Sequence, residues 1–111
     1  GRAAGALLAK GAQVNRAGWT PLHYAAAGGA EDIARLLIAR KAKLDAPSPP
    51  ASGGYTPLMM AAREAQPGMV RLLLEQGADP ALTNTEGLTA AQIAERAGQT
   101  DIAAAISRFK R

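Results

Sequence analysis

One short pattern, returning at near-constant spacing, constrains this chain more than any other feature. Gly18-Trp19-Thr20-Pro21-Leu22 comes back as Gly54-Tyr55-Thr56-Pro57-Leu58 and, more loosely, as Gly87-Leu88-Thr89-Ala90-Ala91. The three threonines stand 36 and then 33 residues apart, and Leu36-Leu37-Ile38 likewise returns as Leu72-Leu73-Leu74. A unit of this size cannot bury its apolar face alone, so successive units must stack in chain order. The composition agrees with a stack rather than with one central core. Of 111 residues 48% are apolar, but only four are aromatic and twenty-seven are alanine. Thin layers in which helices approach closely can be built from Ala and Leu; a wide globular core needs more bulk.

Within each unit the residues predict two helices. Thr20 is placed to cap a first helix beginning at Pro21, where the missing N–H costs nothing and the fixed φ suits a helix start. Leu22, Ala25 and Ala26 follow at helical spacing, and Gly28-Gly29 break the run. Glu31-Asp32 then open a second helix with negative charge at its positive end, and Ile33, Leu36 and Leu37 form its apolar stripe. The next unit repeats this with Thr56-Pro57 as cap, Met59-Met60 in place of His23-Tyr24, Pro67 at the start of the outer helix and Gly77 as its stop. The last unit, with helices expected over 89–96 and 100–109, has lost the Pro and Leu of the motif and carries Gln92, Glu95 and Arg96 instead.

A period near 33 residues with Thr-Pro-Leu-His opening the unit resembles the ankyrin-repeat family, and the resemblance covers nearly the whole chain. It implies an all-α solenoid of stacked helix-turn-helix units joined by β-hairpin-like fingers. It divides residues 1–111 into a partial N-terminal repeat (1–16), a repeat (17–46), a proline-rich finger insertion (47–53), a second repeat (54–81) and a C-terminal capping repeat (82–111). The partial repeat lacks its inner helix, which is the expectation for an array cut from a longer one. The polar last repeat suits the terminal layer, one face of which meets water. The fingers differ in length. Gly11 to Gly18 spans seven residues, Gly77 to Gly87 ten and Lys41 to Gly54 thirteen. The longest contains Pro47, Pro49 and Pro50 and is expected to be stiff, extended and projecting.

Candidate chemistry is sparse. His23 is the only histidine, and no nucleophile or orienting group stands at a matching position. The family resemblance implies that its imidazole bonds to the preceding threonine and nearby backbone. Repeats with Met59 or Gln92 at this place must then hold their turns differently. Glu31, Asp32 and Asp101 fall at helix starts, Asp79 falls in a turn, and Glu64 and Glu95 have Arg63 and Arg96 beside them. No pair of carboxyls is placed for acid–base work. Met59, Met60 and Met69 read as packing, the glycines have no phosphate-loop spacing, and the absence of cysteine removes thiolate chemistry. The expectation is a non-enzyme with no cofactor, no metal and no small-molecule substrate.

The net charge of +4 comes from thirteen basic residues spread along the chain. The dense groups, Arg40-Lys41-Lys43 and Arg108-Lys110-Arg111, fall at expected helix C-termini, where cations complement the helix dipole. They are therefore read as solvated charge rather than as a nucleic-acid surface. No apolar run approaches membrane-spanning length, and no signal-peptide pattern opens the chain. The alanine-rich composition points to a GC-rich, bacterial-type genome.

The resemblance places binding on the concave side, made by the fingers and the exposed face of the inner helices. Transferred position by position, the residue after each motif glycine is Trp19, Tyr55 or Leu88, and the pair after the inner-helix alanines brings in Arg63-Glu64 and Arg96. Aromatic and arginine side chains dominate interface hot spots. Together with Pro49 and Pro50 of the long finger, these form the expected surface for a protein partner. The rivals are an accessory or regulatory domain of an enzyme or bacterial effector, a basic nucleic-acid surface, and self-association through the incomplete N-terminal repeat.

Overall fold

The computed structural model describes residues 20–109. The half repeat expected over 1–16 and the aromatic Trp19 lie outside the described residues. Among the described residues six α-helices form three helix-turn-helix pairs: α1 (Pro21–Gly28) with α2 (Glu31–Ala39), α3 (Pro57–Arg63) with α4 (Pro67–Glu75), and α5 (Ala90–Arg96) with α6 (Thr100–Arg108). The inner helices α1, α3 and α5 pack on one another in order, more closely than the outer helices α2, α4 and α6 do. The alanines explain the asymmetry. Ala25, Ala26, Ala61, Ala62 and Ala94 have no exposed surface, so small side chains let inner helices approach. Leu22, Leu58, Met69, Leu72 and Leu73 fill the space beside them.

Each inner helix starts on its threonine. Thr20, Thr56 and Thr89 accept from the N–H of the third helical residue at 3.4, 3.3 and 3.3 Å. That third residue reaches back to the threonine N–H with a different atom in each layer: His23 Nδ1 at 3.0 Å, Met59 Sδ at 3.4 Å and Gln92 Oε1 at 2.9 Å. Such a reciprocal cap contributes about 1 kcal/mol. The turns without histidine are thus held in the same geometry by other acceptors. Histidine differs in using its second ring nitrogen to bridge layers.

The helix ends are equally regular. α1 is closed by Gly29 at φ 70°, and the equivalent residues after α3 and α5 are Ala65 at 59° and Gly98 at 80°. After α2 and α4 the left-handed positions are Lys41 at 69° and Gly77 at 108°. Ala65 and Lys41 adopt this backbone at a steric cost of about 1–2 kcal/mol each. The rest of the unit enforces it, because Gln66 N–H and Ala42 N–H must still reach Ala61 O and Leu37 O, both at 3.0 Å.

Bonds between layers join residues roughly one repeat apart. His23 Nε2 reaches Tyr55 O at 2.7 Å, Gln66 Nε2 donates to Ala27 O at 3.1 Å, and Asp79 N–H donates to Asp45 Oδ1 at 2.9 Å. Thr85 N–H closes the set on Gly53 O at 3.0 Å.

The fingers are hairpin-like without forming regular ladders. Among the described residues they are turns with a single isolated antiparallel bridge, Thr83 to Thr89, and not full hairpins. The proline-rich finger is not extended through its tip. Pro50–Ser52 form a 3₁₀ turn, with Ser52 N–H on Pro49 O at 2.8 Å and Gly53 N–H on Pro50 O at 3.0 Å. Proline at the first position of such a turn loses no bond, and Gly53 at φ 101° lets the chain reverse. The base of the finger keeps its register. Ser48 N–H donates to Tyr55 O at 2.7 Å and Tyr55 N–H to Ser48 Oγ at 2.9 Å. In the next finger Asn84 N–H donates to Leu88 O at 2.9 Å and Leu88 N–H to Asn84 Oδ1 at 3.0 Å. The partners are seven residues apart in one finger and four in the other. The three extra residues are absorbed in the 3₁₀ turn, leaving the stack undisturbed.

Candidate functional site

Tyr55 stands at the base of its finger with its backbone fully engaged. Its carbonyl accepts from both Ser48 N–H and His23 Nε2, each at 2.7 Å. The partly buried ring packs on Gly53, where a Cβ would lie 2.7 Å from the Tyr55 Cε2. The guanidinium carbon of Arg63 lies 5.1 Å from the ring centroid. Arg63 ends α3, so the same helix that is capped by Thr56 delivers it to the ring. Its Nε donates to Glu64 Oε2 at 2.9 Å, with both side chains 42% exposed. At that exposure the ion pair contributes at most about 1 kcal/mol, and the ring contact a similar amount. Their effect is to fix where the guanidinium points.

Facing this pair across the layer boundary are Leu88 and Glu86 from the next finger and Ile93, Arg96 and Ala97 from α5 and its end. Together they enclose a cleft of about 220 Å³. Four residues singled out in the sequence, Tyr55, Arg63, Leu88 and Arg96, therefore meet at one place, and Glu64 joins through its pair with Arg63. Pro49 and Pro50 do not line this cleft; they build the neighbouring 3₁₀ turn. Ala97, which follows Arg96 in the transferred pair, also lines it, whereas Glu86 and Ile93 are not singled out by the sequence reasoning. Glu86 precedes motif glycine Gly87 as Gly53 precedes Gly54, and that register was available in the sequence.

His23 is buried, with Nδ1 accepting from Thr20 N–H at 3.0 Å and Nε2 donating to the Tyr55 carbonyl. This pattern requires the neutral ring with its proton on Nε2. Burial pushes its pKa below the usual histidine value, opposed in part by the backbone bonds at Tyr55 and Ala46. The geometry is that of a structural clamp, in line with the role the family resemblance implies. Asn84, nine-tenths buried, accepts from Glu86 N–H and Leu88 N–H through Oδ1 at 2.9 and 3.0 Å, while its Nδ2 has no partner among the described residues.

A second, larger groove of about 380 Å³ runs between α4 and α6 on the outer-helix side, over Val70, Leu74, Ile102, Ala105 and Phe109. No residue singled out for binding lines it. Among the described residues no group of three or more His, Asp or Glu is placed to hold a metal ion, and no helix is long and apolar enough to cross a membrane.

Two family models match the chain, one described as ankyrin repeats (3 copies) over residues 2–48 and one as ankyrin repeats (many copies) over residues 42–94. The chain belongs to the ankyrin-repeat family. Curated relatives include neurogenic locus notch homolog protein 4 of Homo sapiens, 43% identical over an alignment of 81 positions that covers 69% of this chain and 4% of that protein. Protein glp-1 of Caenorhabditis elegans is 33% identical over 87 residues, 78% of this chain and 6% of that protein. Ankyrin repeat and protein kinase domain-containing protein 1 of Homo sapiens is 40% identical over 50 residues, 45% of this chain and 6% of that protein. The ankyrin chain thus spans only 4% to 6% of the length of these relatives. Ankyrin repeats are generally protein-interaction modules, which is the coarse functional statement that membership carries.

Proposed function

We propose that this ankyrin domain binds a protein partner, stoichiometrically, through the surface made by its fingers and inner helices, centred on Tyr55, Arg63, Leu88 and Arg96. The observation that carries this reading is the Arg63 guanidinium held over the Tyr55 ring at 5.1 Å beside the cleft shared with the next layer. An aromatic and two arginines on adjacent layers, already ordered by the fold, offer contact area at low entropic cost. Trp19, one repeat before Tyr55, is included in the surface by its place in the motif.

The nucleic-acid alternative is weakened by the charges in the cleft. Glu64 pairs with Arg63, and Glu86 lines the same space, so a row of phosphates would meet two carboxylates. The accessory-domain reading draws support from a relative whose name joins ankyrin repeats to a protein kinase domain. It is compatible with the same surface.

The test is affinity capture from host lysate by the full chain, comparing wild type with a Trp19→Ala/Tyr55→Ala variant at low and moderate salt. A partner that survives moderate salt and is lost by the folded variant supports the proposal. Retention by the variant moves the site elsewhere, and capture of nucleic acid that vanishes with salt overturns it.

A further inference from the structure

The cleft beside Tyr55 carries enough chemistry to say what kind of segment it accepts, given the reading that this side of the stack binds protein. At about 220 Å³ it is below the size of a typical small-molecule pocket and suits one or two side chains of an extended polypeptide. Its floor is apolar, from Leu88 and Ile93. Arg63 on one wall spends its Nε on Glu64 and its flat face on Tyr55, while its terminal amino groups have no protein partner among the described residues. Arg96 on the other wall is exposed and makes no ion pair among the described residues. Two guanidinium groups from successive layers therefore flank an apolar floor, one of them already immobilised. A planar guanidinium recognises a carboxylate with paired, charge-assisted hydrogen bonds. Glu86 at the finger side and Glu64 behind Arg63 limit how much negative charge the site tolerates.

We infer that this cleft receives an acidic side chain and an aliphatic one two residues away on an extended segment of a partner protein, where the alternation of side chains puts both on one face. The carboxylate sits between Arg63 and Arg96, and the aliphatic group lies on Leu88 and Ile93. The two flanking glutamates select against runs of acidic residues.

A random-peptide display library panned on the full chain tests this, with far-UV circular dichroism verifying that each variant is folded. The expected enrichment is Asp or Glu two positions from Leu, Ile, Val or Met. In a selected peptide, changing the acid to its amide weakens binding about tenfold or more, the worth of a charge-assisted contact. Arg96→Ala shrinks that acid-to-amide difference, the remainder coming from Arg63, and Arg96→Glu redirects selection toward Lys or Arg at the position of the acid. Peptides that require Tyr55 but show no acidic preference, or that improve as further acids or a phosphoserine are added, overturn the inference while leaving the concave surface as the binding site. Peptides indifferent to both Tyr55→Ala and Arg96→Glu, or no enrichment at all, overturn the inference. Indifferent peptides that are blocked by changes at Ile102 or Phe109 place binding on the outer groove and overturn the proposed surface as well.

Discussion

The ring of His23 donates its Nε2 proton to the carbonyl of Tyr55, 2.7 Å away and 32 residues further along the chain. One layer's buried histidine thus holds the residue on which the next layer's Arg63 rests. Protonation at Nδ1 would oppose an N–H to the Thr20 N–H that this atom now accepts. The folded-state pKa lies below the unfolded value of about 6.5, so the unfolded chain binds the proton more readily. Stability from this clamp is therefore complete above about pH 6.5 and is lost as the pH falls through the folded-state pKa. Urea unfolding between pH 5 and 8 should show the decline in wild type and not in His23→Gln, whose amide cannot titrate. His23→Ala should cost about 1–3 kcal/mol at pH 7.5, by leaving the Thr20 N–H without its acceptor and removing one of the two donors to the Tyr55 carbonyl.

The left-handed positions occupied by non-glycine residues give a second test. Lys41 at φ 69° and Ala65 at 59° stand where sister repeats have Gly77 and Gly29. Lys41→Gly should raise unfolding stability by about 0.5–1 kcal/mol, because relief of strain exceeds the added freedom of the unfolded chain and the lost helix-end charge. Ala65→Gly should gain less, since its methyl packs on the core. Equilibrium denaturation with unchanged m-value measures both, and a loss of stability at Lys41→Gly would refute the strain argument.

Gly53 is the opposite case. Its φ of 101° disfavours any side chain, and a Cβ there would enter the Tyr55 ring. Gly53→Ala should destabilise by about 1–3 kcal/mol. In a Tyr55→Ala background the steric part disappears and the backbone part remains, so a double-mutant cycle should give a clear positive coupling between the two sites.

Deleting residues 50–52 should leave the stack intact. It reduces the Ser48-to-Tyr55 separation from seven residues to the four found between Asn84 and Leu88, and places Pro49-Gly53-Gly54 where Thr85-Glu86-Gly87 sit. The expected change in stability is within about 1 kcal/mol, because a small change in loop length alters closure entropy little. Calorimetry checks this, and binding measured on the same deletion reveals whether the proline turn touches the partner.

Asn84→Asp removes the unpaired buried Nδ2 and keeps an acceptor for Glu86 N–H and Leu88 N–H. At pH 7 this should stabilise by about 1 kcal/mol. Two N–H donors favour the ionised carboxylate, so the gain should disappear as the pH falls through the folded-state pKa of the new acid. Loss of stability at pH 7 would mean that burying the charge outweighs the two bonds.

Much of this molecule is local, and local chemistry can be read from a string of residues. Thr20-Pro21, Thr56-Pro57 and Thr89 announced helix starts because capping involves residues three apart. The alanine pairs announced close helix approach, and the repeat spacing announced which positions would share a surface, so Tyr55, Arg63, Leu88 and Arg96 could be grouped before their cleft was seen. What tertiary structure alone decided depends on how neighbouring layers pack, in places through atoms more than thirty residues apart. The finger at Pro50–Ser52 closed into a 3₁₀ turn rather than an extended arm, because its base is bolted by Ser48 to Tyr55 and its end by Gly53 to Thr85. Ala65 and Lys41 took a glycine's conformation because the stack needs that turn more than those residues resist it. Glu86 joined the cleft only when the next finger docked against α3 and α5. Sequence period fixes which residues are equivalent; the distances between equivalent layers fix which of them touch, and those distances exist only once the layers have packed.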